Sequence, residues 1–176
     1  MNPAIVPLFA LCLAAMPATQ AAAALKDGEL SLPADYKTWA KFLSEVQRPD
    51  AKQVREIFFN RAASTGTAAK GFPDGSLFVM ENYSVQLNAD GGPRTDSAGR
   101  LVKGGLVRIF VMGKNPGWGA DVPQGQQTGN WIFASYLPDG QKSSDDLSKC
   151  RTCHAPLASK DFVHRFDEYL QSAAKK

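Results

Sequence analysis

Two cysteines three positions apart, Cys150 and Cys153, are followed directly by His154. Nothing else in the chain constrains it as strongly. Two thiols at that spacing can each add to a vinyl group on one porphyrin edge. The adjoining histidine is then held under the iron as its proximal ligand. The pattern reads as the attachment site of one covalent haem c per chain. A haem fixed in this way needs few other contacts from a small fold, and its chemistry depends on what faces the iron from the opposite side. Three other readings compete. A zinc site needs four ligands, and after Cys150, Cys153 and His154 only His164 and carboxylates remain, because Cys12 lies in the apolar leader. A thioredoxin-like dithiol belongs just after the first strand of a βαβ unit, whereas this one lies near the C-terminus. A local disulfide between Cys150 and Cys153 is the third.

The chain of 176 residues is long enough for one domain with its own core. A formal net charge of +3 is too mild to argue for nucleic acid. Neither a Gly-rich phosphate loop nor an internal repeat is present. The first 25 residues carry no charged side chain. Within them an apolar run over 8–16 is followed by Pro17 and then small residues through Ala24, which has the form of a secretory signal with its cleavage zone. The run is shorter than the roughly 20 apolar residues of a membrane span and is broken by proline. Residues 1–24 are therefore read as a cleaved signal peptide, with the cut between Gln20 and Leu25. Residues 25–176 form the single mature domain, which has no membrane span and is destined for the periplasm. In bacteria covalent haem attachment takes place outside the cytoplasmic membrane, so the two inferences agree.

Along the mature chain, Tyr36, Trp39, Ala40 and Leu43 fall at helical spacing and predict a helix over 35–43, with Pro33 near its start. Strands are predicted over 54–60, 76–85, 101–112 and 131–137. In the second of these Phe78, Met80 and Asn82 share one face, and Leu77, Val79, Glu81 and Tyr83 the other. Gly104 and Gly105 mark a bulge or bend. Gly-rich loops fill 88–99 and 115–129. Ser143 or Ser144 caps a helix with Asp145 and Asp146 in its first turn; this helix delivers Cys150 to His154 and ends at Pro156. A last amphipathic helix is predicted over 160–173, with Phe162, Phe166, Tyr169 and Leu170 inward. The class is α+β: a predominantly antiparallel β-sheet flanked by helices, with a C-terminal helical haem-attachment segment.

The run from Leu32 through Pro33, Asp35 and Tyr36 to Trp39, the turn Phe72, Pro73, Asp74, Gly75, Ser76, the run Gly129, Asn130, Trp131, Ile132, Phe133, and the haem motif stand in an order that resembles the cytochrome P-460 and cytochrome c′-beta family. The resemblance covers essentially the whole mature chain. It implies an antiparallel sheet flanked by helices, often as a homodimer, and a five-coordinate haem c. Members either oxidise hydroxylamine or bind nitric oxide. The hydroxylamine-oxidising members cross-link a lysine on the strand after the Phe-x-Asp-Gly turn to the porphyrin; Met80 stands there, and Lys70 is not equivalent. They also carry a carboxylate on the next long strand, where Phe110 aligns.

The resemblance makes His154 the proximal iron ligand, with Cys150 and Cys153 the covalent attachments. Phe78, Met80 and Phe110 become the distal pocket, and Met80 a candidate sixth ligand. Each also has a packing reading, as do Met112, Trp131 and His164; a role for His164 as distal ligand or proton shuttle is the minor alternative. Arg108 and Arg151 are candidates for pairing with haem propionates. The functional expectation is a periplasmic mono-haem cytochrome c binding a small neutral ligand, nitric oxide, at five-coordinate iron. The alternatives are a hydroxylamine or nitric oxide oxidoreductase, which would make it an enzyme, and a His/Met-ligated electron carrier with a periplasmic redox partner.

Overall fold

The computed structural model describes residues 24–174; the expected signal peptide, with Cys12, lies outside the described residues apart from Ala24. Five strands form one antiparallel sheet in which spatial order follows chain order: β1 (Ala40–Arg48), β2 (Gln53–Phe59), β3 (Leu77–Val85), β4 (Lys103–Lys114) and β5 (Trp131–Tyr136). Two short helices follow, α1 (Ser148–His154) and α2 (Phe166–Ala173). The class is α+β, as the sequence predicts, and β2 to β5 lie within about two residues of their predicted bounds. The pairing of β3 with β4 shifts register between Asn82 and Val85, opposite Gly104 and Gly105.

The first predicted element is corrected. Residues 35–43 hold only a 3₁₀ turn, Tyr36–Thr38, before the chain extends into β1. The helical reading left Phe42 off its apolar face, yet Phe42 is 3% exposed. The cause is two irregularities in the pairing of β1 with β2, between Lys41 and Leu43 and between Leu43 and Val46, with Glu45 at φ 50°. Each extra residue breaks the two-residue alternation of a strand. The buried positions Phe42 and Val46 then stand four apart, which imitates a helix.

The sheet buries both faces. On the front, a transverse row runs Phe59, Phe78, Met112, Phe133, each paired with the next across the strands. Phe166, Tyr169 and Leu170 of α2 and Cys150 of α1 pack against this row. On the back, Val79, Ile109, Val111, Ile132 and Ala134 are covered by Leu30, Leu32 and Tyr36 from the N-terminal segment.

The back face also holds two buried carboxylates, Glu56 and Glu81, which are cross-strand partners. Tyr36 and Tyr83 each donate a hydroxyl to Glu81 at 2.6 Å. Glu56 accepts from Lys103 at 2.8 Å, Ser44 at 2.7 Å and Lys41 at 2.9 Å. Burial alone would raise the Glu56 pKa; the bonds from Lys103, Ser44 and Lys41 outweigh it and hold the carboxyl at about 2. A carboxyl lowered in the folded state stabilises above its ordinary value of 4.5, and that stability is lost as pH falls toward 2. Glu56→Gln should therefore cost about 3 kcal/mol at pH 6, at 1.36 kcal/mol per pKa unit. The gap to the wild type should close as pH drops through this window. Urea unfolding of both proteins at pH 6 and pH 3 checks it, and an equal gap at both values would refute the assignment.

Candidate haem centre

Helix α1 is a single short segment carrying the whole motif. It begins at Ser148, later than expected, because Asp146 accepts both the Ser148 amide at 3.1 Å and its hydroxyl at 2.7 Å. Ser143, the expected cap, instead shares a hydrogen bond with Ser135 of β5 at 2.9 Å. Pro156 does not end the helical path. It sits in the first turn of a 3₁₀ segment, Ala155–Lys160, where a missing amide hydrogen does no harm. The last helix starts at Phe166 rather than 160, because Asp161, Phe162 and Arg165 all take positive φ values and turn the chain.

Cys150 is half-buried against the front core and Cys153 is exposed; both are free thiols. Among the described residues no cluster of three or more His, Cys, Asp or Glu side chains is arranged to hold a metal ion. The His154 ring lies between Phe133, at a centroid distance of 5.1 Å, and His164, at 4.8 Å. Its Nδ1 is 2.6 Å from the Phe162 carbonyl. A carbonyl can only accept, so the proton resides on Nδ1 and the Nε2 lone pair is left free. Burial, the largest influence, pulls this imidazole down to about 4, so it is neutral at physiological pH. A neutral, oriented imidazole with one nitrogen fixed by a backbone carbonyl is the form in which histidine binds a metal.

Phe162 supplies that carbonyl from a left-handed turn, and the turn is clamped. Asp161 accepts the Phe72 amide at 2.7 Å and the Lys114 ammonium at 2.9 Å. Gly71 must be glycine here: its φ is +68°, and a Cβ would lie 2.7 Å from the Asp161 carboxylate. A second clamp holds α1. Arg151 is 2% exposed and donates to Asp27 through Nε at 2.5 Å and a terminal nitrogen at 2.9 Å, and to Thr128 at 2.9 Å. The same Asp27 accepts the Phe133 amide at 2.9 Å. Gly119 passes over this guanidinium with φ +67°, where a Cβ would approach to 3.1 Å.

Beside the covered row on the front face lies one that the helices leave partly open. It consists of Ile57, Met80, Phe110 and Ser135, paired in that order across β2 to β5. The first three are half-buried. Successive rows on one face are about 7 Å apart, so this row neighbours Phe133, on which His154 packs. A cavity of about 770 Å³ is a different place, lined by Thr152, Ala155, Pro156 and Phe162 and by the 118–130 loop.

The cytochrome P460 family model matches residues 33–165, which takes in all five strands and the motif. The chain belongs to the cytochrome P460 family. Among curated proteins none matches it. Membership makes this a haem cytochrome, and the local chemistry fits the group. Cys150, Cys153 and His154 lie on one short helix, with the Nε2 of His154 unprotonated and unshared.

Within this P460-family chain the structure brings Met80 and Phe110 together as direct cross-strand neighbours. Phe78 lies one row away at 5% exposure, edge-on to Phe42 at 5.1 Å and Phe72 at 5.0 Å. Met112 and Trp131 are core, at 8% and 0% exposure. His164 packs on the ring of His154 itself, its Nε2 3.2 Å from the Cys153 carbonyl. Arg108 pairs with Asp145 at 3.2 Å. Arg151, considered for a propionate, has its donors committed to Asp27 and Thr128. The clamp residues Asp27, Asp161 and Lys114 were not predicted. Their partners are 124 and 47 residues distant, and no local pattern signals such a pair.

Proposed function

We propose that this chain is an exported mono-haem c-type cytochrome that binds a small neutral ligand, nitric oxide before others, with His154 as the one protein ligand to iron. The observation that carries the reading is the pairing of a neutral, fixed His154 with an open sheet row whose strand positions hold Met80 and Phe110. Haem, when bound, supplies an iron with one open face. Cys150 and Cys153 anchor the porphyrin edge, the Phe162 carbonyl orients His154, and Met80 and Phe110 keep water and anions out. An unpaired polar group in such a lining costs about 1–3 kcal/mol, so hydrocarbon and thioether favour an uncharged diatomic. Bound dioxygen is polar and gains from a distal donor; ferrous haem takes nitric oxide without one. Hydroxylamine oxidation of the family type would need a lysine and an acid where Met80 and Phe110 stand. Export rests on the charge-free leader, and a homodimer on the family resemblance.

One observation favours a second reading. Met80 is half-buried on the face that carries the haem motif, so its thioether could complete a His/Met electron carrier. Optical spectra separate the two. The ferric and ferrous protein should be five-coordinate high-spin, and Met80→Ala should change it little; conversion from low spin to high spin would establish Met80 as a ligand. The ferrous protein should bind nitric oxide, form no stable dioxygen complex and turn over negligible hydroxylamine. Haem staining of the acid-denatured protein should persist, and should vanish when Cys150 and Cys153 are both changed to Ala.

A further inference from the structure

One row beyond Met80 and Phe110 the front face turns polar. Arg55 of β2, Asn82 of β3 and Arg108 of β4 are paired in that order across the sheet. Among the described residues the buried Arg55 Nε, a donor, has no hydrogen-bond partner, and neither has Asn82 Oδ1, whose amide also carries the Nδ2 donor; Asp145 Oδ2 lies 3.2 Å from Arg108 Nε. Such atoms are rare in native proteins, and a buried guanidinium donor without an acceptor calls for an occupant. The charges indicate which kind. Arg108 is balanced by Asp145. Arg48 and Arg165, which also influence this site, are balanced by Asp50 and Glu168. Among the described residues no carboxylate pairs with Arg55, and its one side-chain hydrogen bond is to the neutral Gln53, at 3.3 Å. Burial, then Arg48, lowers its pKa, the mark of a desolvated cation beside like charge. Its natural partner is one negative charge with oxygens that accept hydrogen bonds.

We propose that Arg55, with Asn82 beside it, anchors a carboxylate of the haem, one of its two propionates. The proposal rests on the haem c reading above. A half-buried cation is costly unless it is permanently paired. A propionate on a covalently held porphyrin is always present, whereas a dissolved anion is not. Arg108 of the same row pairs with Asp145, three residues before α1 begins, so the row and the attachment helix share the front face. The assignment also keeps Arg55 and Asn82 from acting as distal donors, in keeping with a ligand pocket of Met80 and Phe110. A small oxyanion bound at the iron, such as nitrite, would offer Arg55 similar chemistry and is the competing source.

The test uses haem-loaded wild type, Arg55→Gln, Arg55→Lys and Arg48→Gln. Resonance Raman spectra report the propionate bending mode, potentiometry the midpoint potential, and a sodium nitrite titration the ferric affinity. In Arg55→Gln the bending mode should shift. The ferric form should gain about tenfold over the ferrous, equivalent to about 59 mV downward for a one-electron couple. Arg55→Lys should recover most of the potential, Arg48→Gln should leave the bending mode in place, and nitrite affinity should change less than threefold in every variant. An unmoved bending mode in Arg55→Gln overturns the proposal, and a tenfold loss of nitrite affinity with that mode unmoved assigns the row to a dissolved anion. If Arg55→Gln does not accumulate with haem, Arg55→Lys alone decides, since its longer, single-point contact should still shift the bending mode. Haem staining of the wild type reports separately on the haem c reading.

Discussion

Arg151→Met should lower the free energy of unfolding by about 3–5 kcal/mol, the cost of removing one partner from a buried ion pair. Arg151 occupies the first position between the cysteines, where the attachment motif accepts any side chain, so haem chemistry makes no demand on it. Folding does. Its guanidinium is 2% exposed and spans Asp27, Thr128 and the face of Phe133, at 5.6 Å. Methionine fills similar volume but leaves the Asp27 carboxylate without its cation and Thr128 without its donor. Urea denaturation of the haem-loaded variant, followed by far-UV circular dichroism, measures the loss. A change below about 1 kcal/mol, the scale of an exposed pair, would show that the pair contributes no more than a surface contact.

Asp161→Ala should cost about 2–4 kcal/mol and, unlike Arg151→Met, should also alter the haem. The carboxylate is 17% exposed and its partner Lys114 16%, so the loss falls a little below that of a fully buried pair. Beyond stability, Asp161 holds the left-handed turn at Asp161 and Phe162. Non-glycine residues in that region cost of order 1–3 kcal/mol each and persist only when their surroundings enforce it. Once the clamp is gone the turn relaxes and the Phe162 carbonyl leaves His154 Nδ1. A proximal imidazole without that acceptor is a weaker electron donor, so the iron–histidine stretching frequency of the ferrous protein should fall. Asp161→Asn keeps an acceptor for the Phe72 amide and should show a smaller shift. A destabilised variant with an unchanged iron–histidine frequency would separate the clamp from the ligand.

The parts of this molecule that could be read from sequence are those written in short range. Strands β2 to β5 are apolar, β-branched and aromatic enough to predict their extent, and in β3 also which side chains share a face, as with Phe78, Met80 and Asn82. The haem motif is five consecutive residues. β1 escaped because its bulges changed the period to one that, with Pro33 ahead of it, imitates a helix. The late start of α1 escaped because Ser143 is taken up by Ser135 of β5, a tertiary contact that overrides its capping preference. Arg55 was invisible for another reason. An arginine in a strand is commonly a surface residue, and only the register Arg55, Asn82, Arg108 shows that its neighbours leave it unpaired.

The tie between Asp27 and Arg151 also bears on the order in which the chain can assemble. Every strand of the sheet pairs with its neighbour in sequence, so the meander can zip up progressively as it is synthesised, with small loop-closure costs. The attachment helix has no such local route: its anchor Asp27 lies 124 residues upstream, and it is made after all five strands. Until that helix docks, the segment carrying Cys150 and Cys153 lacks this tie; once it docks, Arg151 is sealed beneath Gly119. The salt bridge thus closes the fold across most of its described length, joining a residue near its start to a helix near its end.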